Sequence, residues 1–403
     1  MENETEEENN MIQTRRLYYE NVYIKEFEAT VLQCREGKKG YHILLDQSAF
    51  YPEGGGQPSD TGVLGNISVR EVHEKDGELL HYTEEPLEPG VKVTGRIDWN
   101  RRFDLMQQHS GEHMVSGLIH EAYGYDNVGF HMGSDVVTID FNGPLEEVQL
   151  EEIERKTNQK IWENAEVEIS YPSAEELEQL PYRSKKELTG KIRIVRFPGA
   201  DLCACCGTHV THTGEIGMVK ILSCVKFREG VRVEMICGGR VLAYLNMVNN
   251  QNHRISVKLS AKADKTFQAV ERMYDENFRL KGRVMSMEET LFAQEAEKWK
   301  NAGNVLLIKE GLEADSLRKL TDVVMSACGG CCAVFSGNPD GSYKYAIGET
   351  GGDLRSLTKE LNAALNGRGG GKPFFVQGSV QASEEEIRSF LSRKLELPGL
   401  RQD

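Results

Sequence analysis

The chain has 403 residues with a formal net charge of −15, 28% charged and 39% hydrophobic residues, and nine cysteines. Length points to about two to four domains, and composition to an ordinary globular protein. The charge excludes a basic surface spread over the whole molecule, so any nucleic-acid contact must be local.

No apolar run reaches membrane-spanning length, and the opening MENETEEENN is acidic, unlike a signal or transit peptide. Five of its first eight residues are glutamate. Residues 1–19 are therefore expected to be a disordered acidic tail. The cysteines cluster (Cys203, Cys205, Cys206; Cys328, Cys331, Cys332), which fits reduced thiols in the cytoplasm better than a disulfide framework.

Residues 20–100 are predicted to form short strands: YHILLD, SVREVHE, ELLHYTE and VKVTGRID, with Asp76-Gly77 as a hairpin turn. Their spacing suggests a small β-barrel or sandwich. Phe50–Gly62, FYPEGGGQPSDTG, places Gly54, Gly55 and Gly56 together, where bare backbone can approach a ligand. Gln57 follows on that loop with an amide that both donates and accepts. A wide turn without a ligand would look the same.

At 101 the period changes. Met106, Met114, Leu118 and Ala122 recur at helical intervals, and Gly124 offers a stop. His109 and His113, four apart, then share one face of that helix. Some ninety residues later, Cys205 and His209 follow the same spacing in CACCGTH. Imidazole and thiolate donors in that number suit Zn2+, one per chain. Cys203 and Cys206 are rival thiolates, and His212 lies close behind. HSGEH also matches the H-x-x-E-H pattern of zinc peptidases, with Glu112 as general base. That reading needs a third ligand of another kind and leaves Cys205 and His209 unexplained.

Between these pairs, GFHMGSDVVTIDF alternates like one strand, with His131 a candidate pocket residue, and 145–166 is an acidic amphipathic helix. KIRIVRF and GMVKILSCVKF are strands flanking the cysteine loop, making 101–240 an α+β zinc-binding domain. Local basic patches remain at Arg101-Arg102 and across Tyr182 to Arg196, which holds six basic residues and one acidic.

Residues 241–300 form a helical linker, with Leu280, Val284, Met287 and Leu291 at coiled-coil spacing. Residues 301–403 restart an α/β pattern. Their GRGGGKP segment, Gly367–Pro373, reads as a loop whose amides, with Arg368 and Lys372, suit an RNA backbone. It is not a P-loop, since no Ser or Thr follows the lysine.

FYPEGGGQPSDTG, HSGEH, CCGTHV followed by TGEIG, and GRGGGKPFFVQGSV occur in one order. That order resembles the long form of the free-standing alanyl-tRNA editing proteins (AlaX type), relatives of the editing and C-terminal parts of alanyl-tRNA synthetase. Nothing looks like the class II aminoacylation core.

The resemblance implies a multidomain α+β chain: β-barrel, zinc-binding editing domain, helical arm, and DHH-associated glycine-rich RNA-binding domain. It implies His109, His113, Cys205 and His209 as zinc ligands and Gln57 as an editing-pocket residue; Gln57 and, from the H-x-x-E-H pattern, Glu112 are the candidate catalytic residues. It implies that the loop of Gly367, Arg368, Gly369, Gly370 and Gly371 grips tRNA; Arg368, Gly369 and Gly370, with Gly55, Gly56, His131 and Lys372 from the residue patterns above, are the candidate substrate contacts. The implied reaction is deacylation of mischarged Ser-tRNA(Ala), and of Gly-tRNA(Ala). The partner is tRNA(Ala), not a membrane, and the helical arm or C-terminal domain offers a route to a homodimer. The alternative from another class is an RNA-binding protein with a structural zinc and no hydrolytic activity.

Overall fold

The computed structural model describes residues 14–38, 40–184, 191–338 and 341–395, in two compact units, 1–253 and 254–403.

The first unit opens with a short strand β1 (Arg15–Arg16) and a helical turn α1 (Leu17–Glu20). Residues 14–19, expected to be disordered, are instead tied down. β1 pairs in parallel with β4 (Gln47–Ser48), and Leu17 and Tyr18 are buried in the neighbouring core. Two large apolar side chains outweigh the charge of the segment before them. The rest of the expected tail, 1–13, lies outside the described residues.

Six strands then close a barrel: β2 (Glu26–Gly37), β3 (Gly40–Leu45), β5 (Gly62–Leu64), β6 (Ile67–Lys75), β7 (Glu78–Thr83) and β8 (Lys92–Ile97), in the order β2-β3-β7-β6-β5-β8. Alternation along β2 turns Phe27, Ala29 and Val31 inward, to meet Ile43, Leu64, Val72 and Leu79. Asp76 and Gly77 both take positive φ (52° and 82°) between β6 and β7, as a type I′ turn requires.

Helix α2 (Trp99–Tyr123) follows, so the change of element at 101 comes two residues early. Asp98 caps its start by accepting from the Arg101 amide, and Gly124 ends it at φ 69°. The helix is buried on most of its circumference, even at Gln108, His109, Ser110, Glu112 and His113. Around it stand β9 (Asn127–Met132), β10 (Val137–Phe141), α3 (Glu147–Trp162), β11 (Glu168–Ser170), α4 (Ala174–Gln179), β12 (Ile194–Phe197), β13 (Asp201–Ala204), β14 (Val219–Phe227) and β15 (Gly230–Cys237). The sheets run β14-β15-β10-β9 and β11-β12-β13. The segment expected as one strand is a hairpin, because the Gly133 amide bonds the Val136 carbonyl and reverses the chain. Met106, Met114, Ile139, Ile153, Phe197 and Val233 are among the residues of this second core.

Helix α5 (Gly239–Lys258) leaves this unit, and α6 (Thr266–Lys298) begins the next. The expected seam on α6 is open: Leu280, Val284, Met287 and Leu291 are 45–58% exposed. The second unit continues with β16 (Gly303–Glu310), α7 (Ala314–Cys328), β17 (Gly329–Gly337), β18 (Tyr343–Glu349), α8 (Arg355–Ala364), β19 (Arg368–Lys372), β20 (Phe375–Val380) and α9 (Glu384–Lys394). One mixed sheet, β16-β17-β18-β20-β19, separates two cores. Along β17, Cys331, Ala333 and Phe335 enter one, while Cys332 and Val334 enter the other. The clustered thiols are thus core side chains, and burial pushes Cys331 up to about 12.

The expected GRGGGKP loop is largely strand β19, paired from Arg368↔Ser379 to Lys372↔Phe375. Glycine is a poor strand former, but here the partner strand supplies the order. No helix among the described residues is long and apolar enough to cross a membrane.

Candidate metal centre

Four donor side chains converge inside the first unit. One ring nitrogen each from His109, His113 and His209 and the Cys205 sulfur all lie within 4.8 Å of one another. Consecutive turns of α2 stack the rings of His109 and His113, centroids 5.1 Å apart. The loop after β13 brings Cys205, whose Sγ lies 3.5 Å from His109 Nε2 and 3.6 Å from His209 Nε2. The three histidines are 1–3% exposed; Cys205 is partly exposed and marks the side facing solvent.

Each α2 ring is held from behind. Gln57, fully buried, faces its amide oxygen to the Thr208 amide (3.1 Å) and gives its Nε2–H to Thr208 Oγ1 (2.7 Å). The oxygen therefore accepts from His109 Nδ1–H at 2.8 Å, leaving Nε2 for the cluster. Asp201 does the same for His113, accepting from Nδ1–H at 2.8 Å. Arg183 grips both oxygens of Asp201, at 2.8 and 2.9 Å. Behind the loop, Arg193 donates to the Cys205 and Gly207 carbonyls at 2.7 and 3.1 Å. Phe130 stacks on His109 and Phe197 on His113, both at 5.4 Å.

Three glycines make this packing possible. Gly55 and Gly56, both at positive φ, form the tight turn that delivers Gln57, and a Cβ on Gly56 would lie 2.5 Å from the Phe130 ring. A Cβ on Gly207 would lie 2.1 Å from His109 Cε1.

The electrostatics suit a cation. Burial opposes ionisation of Cys205, yet His109, His209 and His113 outweigh it and hold the thiol well below its usual range. Burial likewise opposes charge on His113, but Cys205 and Asp201 raise it well above the ordinary imidazole value. Burial brings His209 down to about 3. His113 Nε2 is buried without a hydrogen-bond partner, a cost normally avoided and removed by a metal ion at the centre of the cluster. Three imidazoles and one thiolate are donors zinc takes.

The geometry also sorts the rivals. Cys206 is exposed and outside the cluster. Cys203 lies beside His113 and Asp201 in a second group of three, where Arg183 already supplies the cation. Other expected site residues are not brought in. Glu112 accepts from Ser116 Oγ (2.7 Å) and Asn127 Nδ2 (2.5 Å) and is not among the converging donors. His131 is exposed: Phe130 points at His109, and the next side chain of a strand leaves on the other face. Arg102, expected on a basic patch, is fully buried against Asp60. Residues 185–190 of the second basic stretch lie outside the described residues. Arg368, Gly369, Gly370 and Lys372 are exposed along β19, in the other unit. Asp201, Thr208, Arg183, Arg193 and Phe130 were missed; their residue types are unremarkable and only the fold brings them to the site.

An α+β protein with a buried three-imidazole, one-thiolate centre in one unit and a mixed glycine-edged sheet in the other is thereby defined. Family models match it in three places: threonyl and alanyl tRNA synthetase second additional domain over 192–234, DHHA1 domain over 301–396, and class II (A) tRNA synthetases over 1–101. Alanyl-tRNA editing protein AlaX-L of Pyrococcus horikoshii is 31% identical over 94% of this chain and 98% of its own length. Alanyl-tRNA editing protein Aarsd1 of Mus musculus is 28% identical over 94% and 96%. An alanine–tRNA ligase of Ignicoccus hospitalis is 29% identical over 94% of this chain but only 42% of the ligase. The chain belongs to the alanyl-tRNA editing protein family, whose members are aminoacyl-tRNA deacylases.

Proposed function

We propose that the chain hydrolyses the ester joining a wrong amino acid, serine above all and also glycine, to the 3′ end of tRNA(Ala). The convergence of His109, His113, Cys205 and His209, with two rings oriented from behind, carries the reading. Such an activity meets a physical need. A site built for alanine cannot exclude smaller glycine by size and only weakly rejects an added hydroxyl, so a second sieve is required.

The four side chains would hold one zinc ion, which would supply Lewis-acid chemistry when bound. Gln57, proposed from sequence as catalytic, is assigned instead a positioning role, since its oxygen and nitrogen are engaged with His109 and Thr208. Phe130 and Phe197 shield the rings from water. The bond broken is the ester C–O: water provides hydroxyl to the carbonyl carbon and a proton to the ribose oxygen, releasing free amino acid and tRNA. The peptidase reading loses support, because Glu112 is engaged by Ser116 and Asn127 and the fourth donor is a thiolate.

The exposed Arg368, Gly369, Gly370 and Lys372 edge suits an RNA backbone, and the open seam on α6 suits a homodimer. Action on tRNA and the clustered free cysteines support a cytoplasmic location. Four protein donors favour a second reading, a closed structural zinc in an RNA-binding protein.

Incubation with Ser-tRNA(Ala) and Ala-tRNA(Ala) separates the readings. Rapid loss of serine alone, abolished together with zinc in Cys205→Ala, supports editing. Retention of both esters by zinc-replete protein supports the structural reading. Full deacylation by metal-free Cys205→Ala rejects a role for the metal.

A further inference from the structure

We infer that Arg183 and Asp201 form a positioning pair that sets the orientation and donor strength of His113, with Arg183 acting through Asp201. This rests on the metal reading of the cluster.

The two α2 histidines are supported by different chemistry. His109 has a neutral amide behind it, whereas His113 has a carboxylate whose side chain is 1% exposed. A carboxylate accepting from Nδ1–H fixes the tautomer, aims Nε2 at the cluster and makes that nitrogen a stronger donor. An isolated buried carboxylate would be costly and free to rotate. The Arg183 fork removes both problems, because two parallel N–H···O contacts fix the carboxylate plane. Asp201 in turn holds the Arg183 guanidinium above its usual range, although burial opposes this.

Arg183 also has a backbone role that is separable from its side chain. Its amide donates to the Leu202 carbonyl at 2.8 Å, and its carbonyl accepts from the Ala204 amide at 2.9 Å, laying residue 183 beside β13. A side-chain substitution leaves these bonds in place. It therefore tests the link from guanidinium to carboxylate to imidazole without removing the strand-like pairing.

The test is zinc affinity of the full chain by chelator competition at fixed pH, for wild type, Arg183→Met, Asp201→Asn and the double variant. Asp201→Asn should weaken binding about 10–100-fold, and Arg183→Met about tenfold. The double variant should be no weaker than Asp201→Asn, because Arg183 has nothing left to position. Cobalt-substituted single variants should show shifted ligand-field bands with thiolate charge transfer retained. Wild-type affinity in Arg183→Met, or losses that multiply in the double variant, would overturn the inference. If methionine at 183 prevents folding of the metal-free chain, Arg183→Lys, which keeps charge but not the fork, should still lose affinity; no loss overturns the inference equally. A wild-type chain that binds no zinc removes the metal reading itself, whereas normal wild-type binding with unmoved variants removes only this one.

Discussion

Gly207→Ala is the smallest change that should dismantle the centre without touching a ligand. The backbone at 207 does not need glycine's positive-φ freedom, since it is absent from the left-handed positions. The whole effect therefore comes from one methyl. That methyl would sit 2.1 Å from His109 Cε1, 2.4 Å from Nδ1 and 2.9 Å from Gln57 Oε1. Relief requires the ring to retreat by more than about 1 Å, whereas metal–ligand distances tolerate about 0.2 Å. The shift would also break the Gln57 contact that fixes the tautomer. Overpacking of this kind costs about 1–3 kcal/mol of stability, a fraction of what folding provides. Loss of a ligand should exceed the 10–100-fold penalty typical of losing a ligand's supporting partner. Chelator competition should thus report zinc binding weakened by more than about 100-fold, while urea unfolding of the metal-free chain shows a modest shift. Wild-type affinity in Gly207→Ala would refute the close-packing argument.

Arg102→Met strands a fully buried Asp60 carboxylate and also removes bonds to the Val22 and Ala49 carbonyls. It should cost about 3–5 kcal/mol in urea unfolding, and Asp60→Asn added to it should recover part of the loss. His81 is fully buried, its Nδ1–H donating to the Ile43 carbonyl and its Nε2 accepting from Ser48, and burial lowers its pKa to about 4. Between about pH 6.5 and 4 the unfolded chain binds a proton that the folded chain refuses, so stability is lost as the pH is lowered across that window. The limit is about 3 kcal/mol, and His81→Gln should flatten the dependence seen in unfolding titrations. Ser383→Ala removes the side-chain acceptor for the Glu386 amide at the start of α9. It should cost about 1 kcal/mol, read as faster amide exchange in that helix.

The sequence made legible what depends on local spacing. Helix α2, its stop at Gly124, the Asp76-Gly77 hairpin and the two four-residue ligand pairs all follow from periodicity or turn chemistry. The supports of the ligands were hidden, because Asp201 reaches His113 across 88 positions and Thr208 reaches Gln57 across 151. His131 was named and Phe130 overlooked because strand parity needs a register, and register is set by pairing. β2 escaped notice because charged residues at its ends obscure the alternation of Phe27, Ala29 and Val31. The glycine run of β19 gave no propensity signal, and its order comes from β20.

The turn at Gly55 and Gly56 has a consequence for how the first unit can be divided. It belongs to the barrel, yet Gln57 at its end is buried against a ring of α2 and a loop that follows β13. Arg102, one helical turn into α2, is buried against Asp60 on the barrel side. Neither core can be excised by cutting near residue 100 without leaving a charge or an amide stranded on the other piece. The two cores should therefore melt in one calorimetric transition, and a recombinant fragment beginning at α2 should emerge as an aggregation-prone half rather than a smaller working protein.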